Sequence, residues 1–167
     1  MEIPKYARLE NERRFLARYR PDLSGDPGRL IEDLYLEAGR LRLRAITHPD
    51  GGREFKFCKK YPSDDPASGP IVNIYLTAEE YGALAALPGH RLRKRRHGVA
   101  WGGRTFGVDV FEDALAGLVL SEAEAESAEA IRALVVPPWA GREVTADPFF
   151  TGAALARIDA EALRRRL

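Results

Sequence analysis

The chain has one cysteine, Cys58, so no internal disulfide can staple it, and no cluster of Cys and His has the spacing of a structural zinc site. No apolar run approaches the roughly 20 residues a membrane helix needs, which excludes a transmembrane protein. Met1-Glu2-Ile3-Pro4-Lys5 lacks the apolar stretch of a secretory signal. Solenoid repeats and low-complexity linkers are absent too. Neither sign of charge is in excess: 26 Lys+Arg stand against 25 Asp+Glu, for a net charge of +1. These absences describe a cytoplasmic protein, and 167 residues fit one domain, 1–167, able to bury a core unaided.

What is present is charge of both signs, locally concentrated. Turn signals at Ser24-Gly25-Asp26-Pro27-Gly28, His48-Pro49-Asp50-Gly51-Gly52, Pro62-Ser63-Asp64-Asp65-Pro66 and Trp101-Gly102-Gly103 divide the chain into strand-length pieces. Leu41 and Leu43 alternate with Arg40, Arg42 and Arg44, and Phe55 and Phe57 alternate with Lys56, Cys58 and Lys60. Val72, Ile74 and Leu76 oppose Asn73 and Tyr75. Arg8, Glu10, Glu12 and Arg14 share one face, Asp109 opposes Val108 and Val110, and Glu122 shares a face with Glu124. For one strand, a solvated face explains such alternation. Six strands carrying carboxylates here and cations there favour closure into an antiparallel β-barrel whose interior is polar.

Helices to cover the apolar faces are signalled as well. Thr77-Ala78-Glu79-Glu80 is a capping box opening a helix through Tyr81, Leu84 and Leu87, stopped by Pro88-Gly89. Ser127 caps a short helix through Ile131 and Leu134. Residues 149–167 read as helical with a break near Asp159, and Arg164-Arg165-Arg166 suits the negative end of a helix dipole. Between Ser121 and Ala130, propensity reads a single Ala/Glu helix, whereas alternation reads a strand in the first half.

Glu10-Asn11-Glu12-Arg13-Arg14 resembles the Glu-x-Glu-x-Lys signature of CYTH domains, the triphosphate tunnel metalloenzyme superfamily. The order of later segments extends the resemblance along nearly the whole chain. Asp33-Leu34-Tyr35-Leu36, Arg42-Leu43-Arg44, Lys60-Tyr61-Pro62, Lys94-Arg95-Arg96, Val108-Asp109-Val110-Phe111, Glu122-Ala123-Glu124 and Glu143-Val144-Thr145-Ala146-Asp147 each resemble a family strand or signature. The resemblance implies a mainly β fold, an eight-stranded antiparallel tunnel covered by a few helices. It also implies hydrolysis of a triphosphate, inorganic triphosphate being the simplest, with Mg²⁺ or Mn²⁺.

A triphosphate carries about four negative charges, which asks for fixed cations with donors. Arg14, Arg42, Arg44, Lys56, Lys60, Lys94 and Arg96 are the substrate-binding candidates, and Lys59, Arg93 and Arg95 read as surface charges. Glu10, Glu12 and Glu124 are expected to hold a metal, with Glu122 and Asp109 serving a second ion or orienting water. Glu10, Glu12, Lys60, Glu122 and Glu124 form the catalytic set. The basic stretch Arg91–His97 invites a nucleic-acid reading, but balanced charge and the lack of interleaved aromatics argue against it, and no nucleic acid is expected. The expected partner is a triphosphate-containing small molecule or inorganic polyphosphate, with no membrane; a homodimer is left open.

Six positions depart from the family pattern. Arg14 replaces the signature lysine, Gly107 and Pro148 stand where an acidic residue and a lysine are often found, and Ile71, Asn73 and Tyr75 bring no carboxylate. They keep two other readings in view: a polyphosphate- or nucleotide-binding protein without efficient turnover, and an adenylate cyclase, for which no adenine pocket is identifiable.

Overall fold

The computed structural model describes residues 3–37 and 39–167, so Met1 and Glu2 of the N-terminal reading lie outside the described residues. Nine strands form in chain order: β1 Arg8–Ala17, β2 Arg29–Leu36, β3 Leu41–Thr47, β4 Arg53–Lys60, β5 Ser68–Leu76, β6 Gly89–Trp101, β7 Arg104–Phe111, β8 Val119–Ala125 and β9 Ala140–Glu143. The sheet order β5-β4-β3-β2-β6-β7-β8-β1 closes through a β1–β5 pairing, all antiparallel, into an eight-stranded barrel, and the short β9 adds to β1. At the seam β1 changes partner, from β5 over Arg8–Asn11 to β8 over Asn11–Leu16. Buried Asn11 bridges both, donating to the Ala125 carbonyl and accepting from the Ser68 hydroxyl.

Residues directly opposite in an antiparallel pair point to the same side, so register traces one face around the whole barrel. Glu12 faces Glu124, Arg14 faces Glu122, Arg96 faces Asp109, Asp33 faces Arg44, and Arg44 faces Lys56. The Ser121–Ala130 stretch splits as alternation expects. β8 takes its first half because Ser121 and Ala123 pack outward in the buried layer, and Ser127 then caps the helix Ala128–Arg132, α2, which follows α1, Ala78–Leu84, in chain order.

The helices are short. The helix Ala78–Leu84, α1, has the full capping box of Thr77 and Glu80 and ends one turn before Leu87. Its Tyr81 and Leu84 cover the outward Leu34, Leu36 and Leu43. The α2 residue Ile131 packs with Phe15, Phe106 and Trp139 on another outer face. The C-terminal region is broken further than the sequence suggests, into a 3₁₀ turn Pro148–Phe150 and helices α3 Gly152–Leu155 and α4 Ala160–Arg164. Asp159 does mark the break, as the N-cap of α4. Among the described residues no helix is long and apolar enough to cross a membrane.

The third apolar cluster corrects the expectation of a polar interior throughout. Leu92, Phe111 and Leu120 belong to the inward face by register, and they pack with Phe150, Leu155 and Leu163 of the C-terminal segment. One end of the barrel is thus a hydrophobic closure, and the charged residues occupy the remaining length.

Candidate active site

A cavity of about 560 Å³ runs along this charged length, lined by Glu10, Glu12, Arg14, Arg42, Arg44, Lys60, Lys94, Arg96, Glu122 and Glu124. It is bordered by the β4–β5 connection, the turn after β2, and the segment from Phe150 to Arg157. Every strand but the ninth supplies part of the barrel wall, and alternation on each one except β5, which carries no charged residue, aims one set of charged side chains inward.

The carboxylates separate into two groups. Oxygens of Glu10, Glu12 and Glu124 all lie within 4.8 Å of one another, a spacing that suits one divalent cation with oxygen ligands. Burial together with the neighbouring Glu10 and Glu12 raises the pKa of Glu124. Glu12 differs: burial opposes its ionisation, but Arg14 and Lys60 outweigh it and hold its pKa below the ordinary value. The Lys60 ammonium pairs with Glu10 and reaches Glu12 at 3.3 Å.

Asp109 and Glu122 stand apart from that triad. Asp109 is fully buried; Arg96 grips it with two bonds of 2.6 Å and Lys94 pairs with it as well. Glu122 accepts from Arg14 Nε at 2.6 Å and also pairs with Arg96. Their oxygens hold cations in place, which is a different task from the second metal expected of them. For Glu122, burial is again outweighed, by Arg96 and then Arg14, and the carboxyl stays ionised far below its usual range. Burial depresses the pKa of Lys94 despite Asp109.

Gly107 explains one departure from the family pattern. A Cβ there would sit 3.2 Å from the Arg96 side chain, so the missing side chain leaves the space across which Arg96 reaches Glu122.

Arg42 and Arg44 converge from β3, and the residue that fixes them escaped sequence reasoning. Asp33 on β2 is completely buried and accepts from Arg44 Nε and Nη2 at 2.6 and 2.7 Å, with Arg42 Nε at 3.8 Å. Its position directly opposite Arg44 follows from a tight β2–β3 pairing, a signal available only once the two segments are aligned. Arg42 Nε is buried without a hydrogen-bond partner, and Tyr35 and Cys58 lie beside it. Tyr35 and the Phe150–Arg157 lining were missed because nothing in their own sequence marks them as facing a cavity.

Lys56 is not brought into the cavity. It pairs with Glu54 at 2.8 Å and stacks over Tyr75, which is 70% exposed, at the barrel rim. Of the other departures, Ile71 is buried opposite Lys60, where it adds apolar wall and no ligand. The basic stretch of β6 divides by parity: Lys94 and Arg96 turn inward, while Arg93 and Arg95 pair with Glu112 outside.

The chain is 42% identical over 156 residues to an inorganic triphosphatase of Nitrosomonas europaea, covering 88% of this chain and 96% of the relative. The chain belongs to the triphosphate tunnel metalloenzyme superfamily. The crystal structure of the inorganic triphosphatase NE1496 superposes with a TM-score of 0.58 at 27% identity, over 88% of this chain and 93% of that one. A Bacillus halodurans structure at 16% identity and a TM-score of 0.55, over 87% of this chain, shares the fold alone. No family model matches the chain.

Proposed function

We propose that this tunnel metalloenzyme hydrolyses inorganic triphosphate with Mg²⁺ or Mn²⁺ held by Glu10, Glu12 and Glu124. The observation that carries the reading is one cavity in which a carboxylate triad meets a ring of inward-facing cations. The cations Arg14, Arg42, Arg44, Lys60, Lys94 and Arg96 are matched by the carboxylates of Glu10, Glu12, Asp33, Asp109, Glu122 and Glu124. A tunnel so balanced favours a triphosphate that arrives with its counter-ion over the naked anion.

Arg42 and Arg44 offer planar forks to phosphate oxygens, and Lys60 and Lys94 offer compact charge beside them. Each except Arg42 already has a close carboxylate partner, so the donors are held in place before substrate arrives, which lowers the cost of reorganisation during phosphoryl transfer. A bound divalent ion supplies charge neutralisation at the phosphoryl oxygens and lowers the pKa of a coordinated water. The buried unpaired Cys58 thiol fits a reducing, cytoplasmic setting.

The test is phosphate release from inorganic triphosphate, thiamine triphosphate and ATP, with chelator, Mg²⁺ or Mn²⁺. Metal-dependent release, fastest with inorganic triphosphate, is expected. Chelator-resistant hydrolysis would sink the metal mechanism. Metal-enhanced binding without hydrolysis of any triphosphate would move the protein to the binding class, the reading that the carboxylate-free β5 favours.

A further inference from the structure

Arg14 occupies the place of the signature lysine, and all three of its guanidinium nitrogens have acceptors. Nε donates to Glu122 Oε1 at 2.6 Å, Nη2 to Glu12 Oε1 at 2.8 Å, and Nη1 to the Phe150 carbonyl at 3.0 Å. The side chain is 12% exposed. Its backbone joins the same segment: Arg14 N donates to Thr145 Oγ1 at 3.0 Å, and Val144 N donates to the Arg14 carbonyl at 2.8 Å.

We infer that Arg14 is a positioning residue, which orients Glu12 for the metal and ties the C-terminal closure to the tunnel wall, in place of the phosphate ligand its charge suggests. The inference rests on the tunnel-metalloenzyme reading above.

The reason lies in the shape of the group. Three acceptors from three separate elements surround one rigid plane, so the guanidinium fixes their mutual positions. Glu12 must present an oxygen toward Glu10 and Glu124, and its other contacts decide which way it turns. An ammonium concentrates its donors at one point and cannot span Glu12, Glu122 and the Phe150 carbonyl along the same directions. The Phe150 side chain is fully buried among Leu92, Phe111 and Leu120, so holding its carbonyl also seats the apolar end of the barrel. Close packing continues one step on: a Cβ at Gly152 would lie 1.9 Å from the Tyr35 hydroxyl, so the segment has little freedom to shift over the cavity. Orientation by a neighbour is a recurrent need of metal-ligating carboxylates.

Arg14→Lys keeps the charge and removes the fork, which makes it the discriminating variant. Calorimetry with Mn²⁺ alone should show affinity falling about tenfold, while triphosphate affinity in chelator changes by less than threefold. Amide exchange over Thr151–Leu155 should accelerate at least tenfold. A fall in triphosphate affinity of tenfold or more with unchanged Mn²⁺ affinity would overturn the inference and make Arg14 a phosphate ligand. Should the variant not fold, the wild-type protein supplies the answer by nitrogen NMR. A slowly exchanging Arg14 Nε–H whose signal stays put when triphosphate is added supports positioning, and one that moves with those of Arg42 and Arg44 refutes it. If the wild-type protein binds neither Mn²⁺ nor triphosphate, the proposed function itself falls, and this inference with it; loss of the split alone rejects only the role of Arg14.

Discussion

Asp33→Asn removes one negative charge from the base of the tunnel arginines Arg42 and Arg44 while keeping the side chain's size. Asp33 is fully buried, and burial works against its anion, but Arg44 and then Arg42 overcome that cost and hold the carboxyl at about 2, against an ordinary 3.8. At about 1.4 kcal/mol for each factor of ten, the difference is worth on the order of 2 to 3 kcal/mol of folding stability. Breaking a buried ion pair from one side leaves the partner charge uncompensated and raises the cost toward about 4 kcal/mol. Because the folded carboxyl is the stronger acid, this stability is present above 3.8 and fades as pH falls through about 2. Urea unfolding of wild type and Asp33→Asn at pH 7 should therefore differ by roughly 1 M or more in midpoint, taking a slope of about 2 kcal/mol per molar. Repeating the pair toward pH 2 should narrow the gap, since only wild type titrates at this position. A destabilisation under about 0.5 kcal/mol at pH 7, or a gap that does not change with pH, would refute the assignment of Asp33 as the counter-charge of Arg44.

Three further outcomes are expected. Arg42→Ala should weaken triphosphate binding by about 1.5–3 kcal/mol in calorimetry, the usual worth of a hydrogen bond to a charged group, with the Asp33–Arg44 pair kept. Glu12→Gln should cut metal-dependent phosphate release at least tenfold, roughly 1.4 kcal/mol of transition-state stabilisation, and should abolish the tightening of triphosphate binding by Mn²⁺. Thr77→Ala should lower thermal stability by about 1 kcal/mol through loss of the α1 cap, with triphosphate affinity unchanged because α1 lies outside the barrel.

Alternation of side chains is a local property of a strand, so the sequence alone determined which residues share a face. It placed Glu10 with Glu12, Arg42 with Arg44, and Glu122 with Glu124; for the Ala/Glu-rich stretch it offered strand alternation against helix propensity, and the structure decides for β8 followed by α2. The caps Thr77 and Ser127 were equally legible, because a cap needs only its own next three residues, and near Asp159 the sequence showed a break but not the cap. Which inward residues meet is a different matter. It depends on register, tilt and closure between strands far apart in the chain. Tertiary structure decided that Asp33 clamps Arg44, that Asp109 and Glu122 engage Lys94, Arg96 and Arg14 apart from the Glu10–Glu12–Glu124 triad, and that Lys56 ends at the rim beside Tyr75. It also decided that one end of the inward face is apolar, since Leu92, Phe111 and Leu120 need Phe150 and Leu155 from the C-terminal segment to complete their burial.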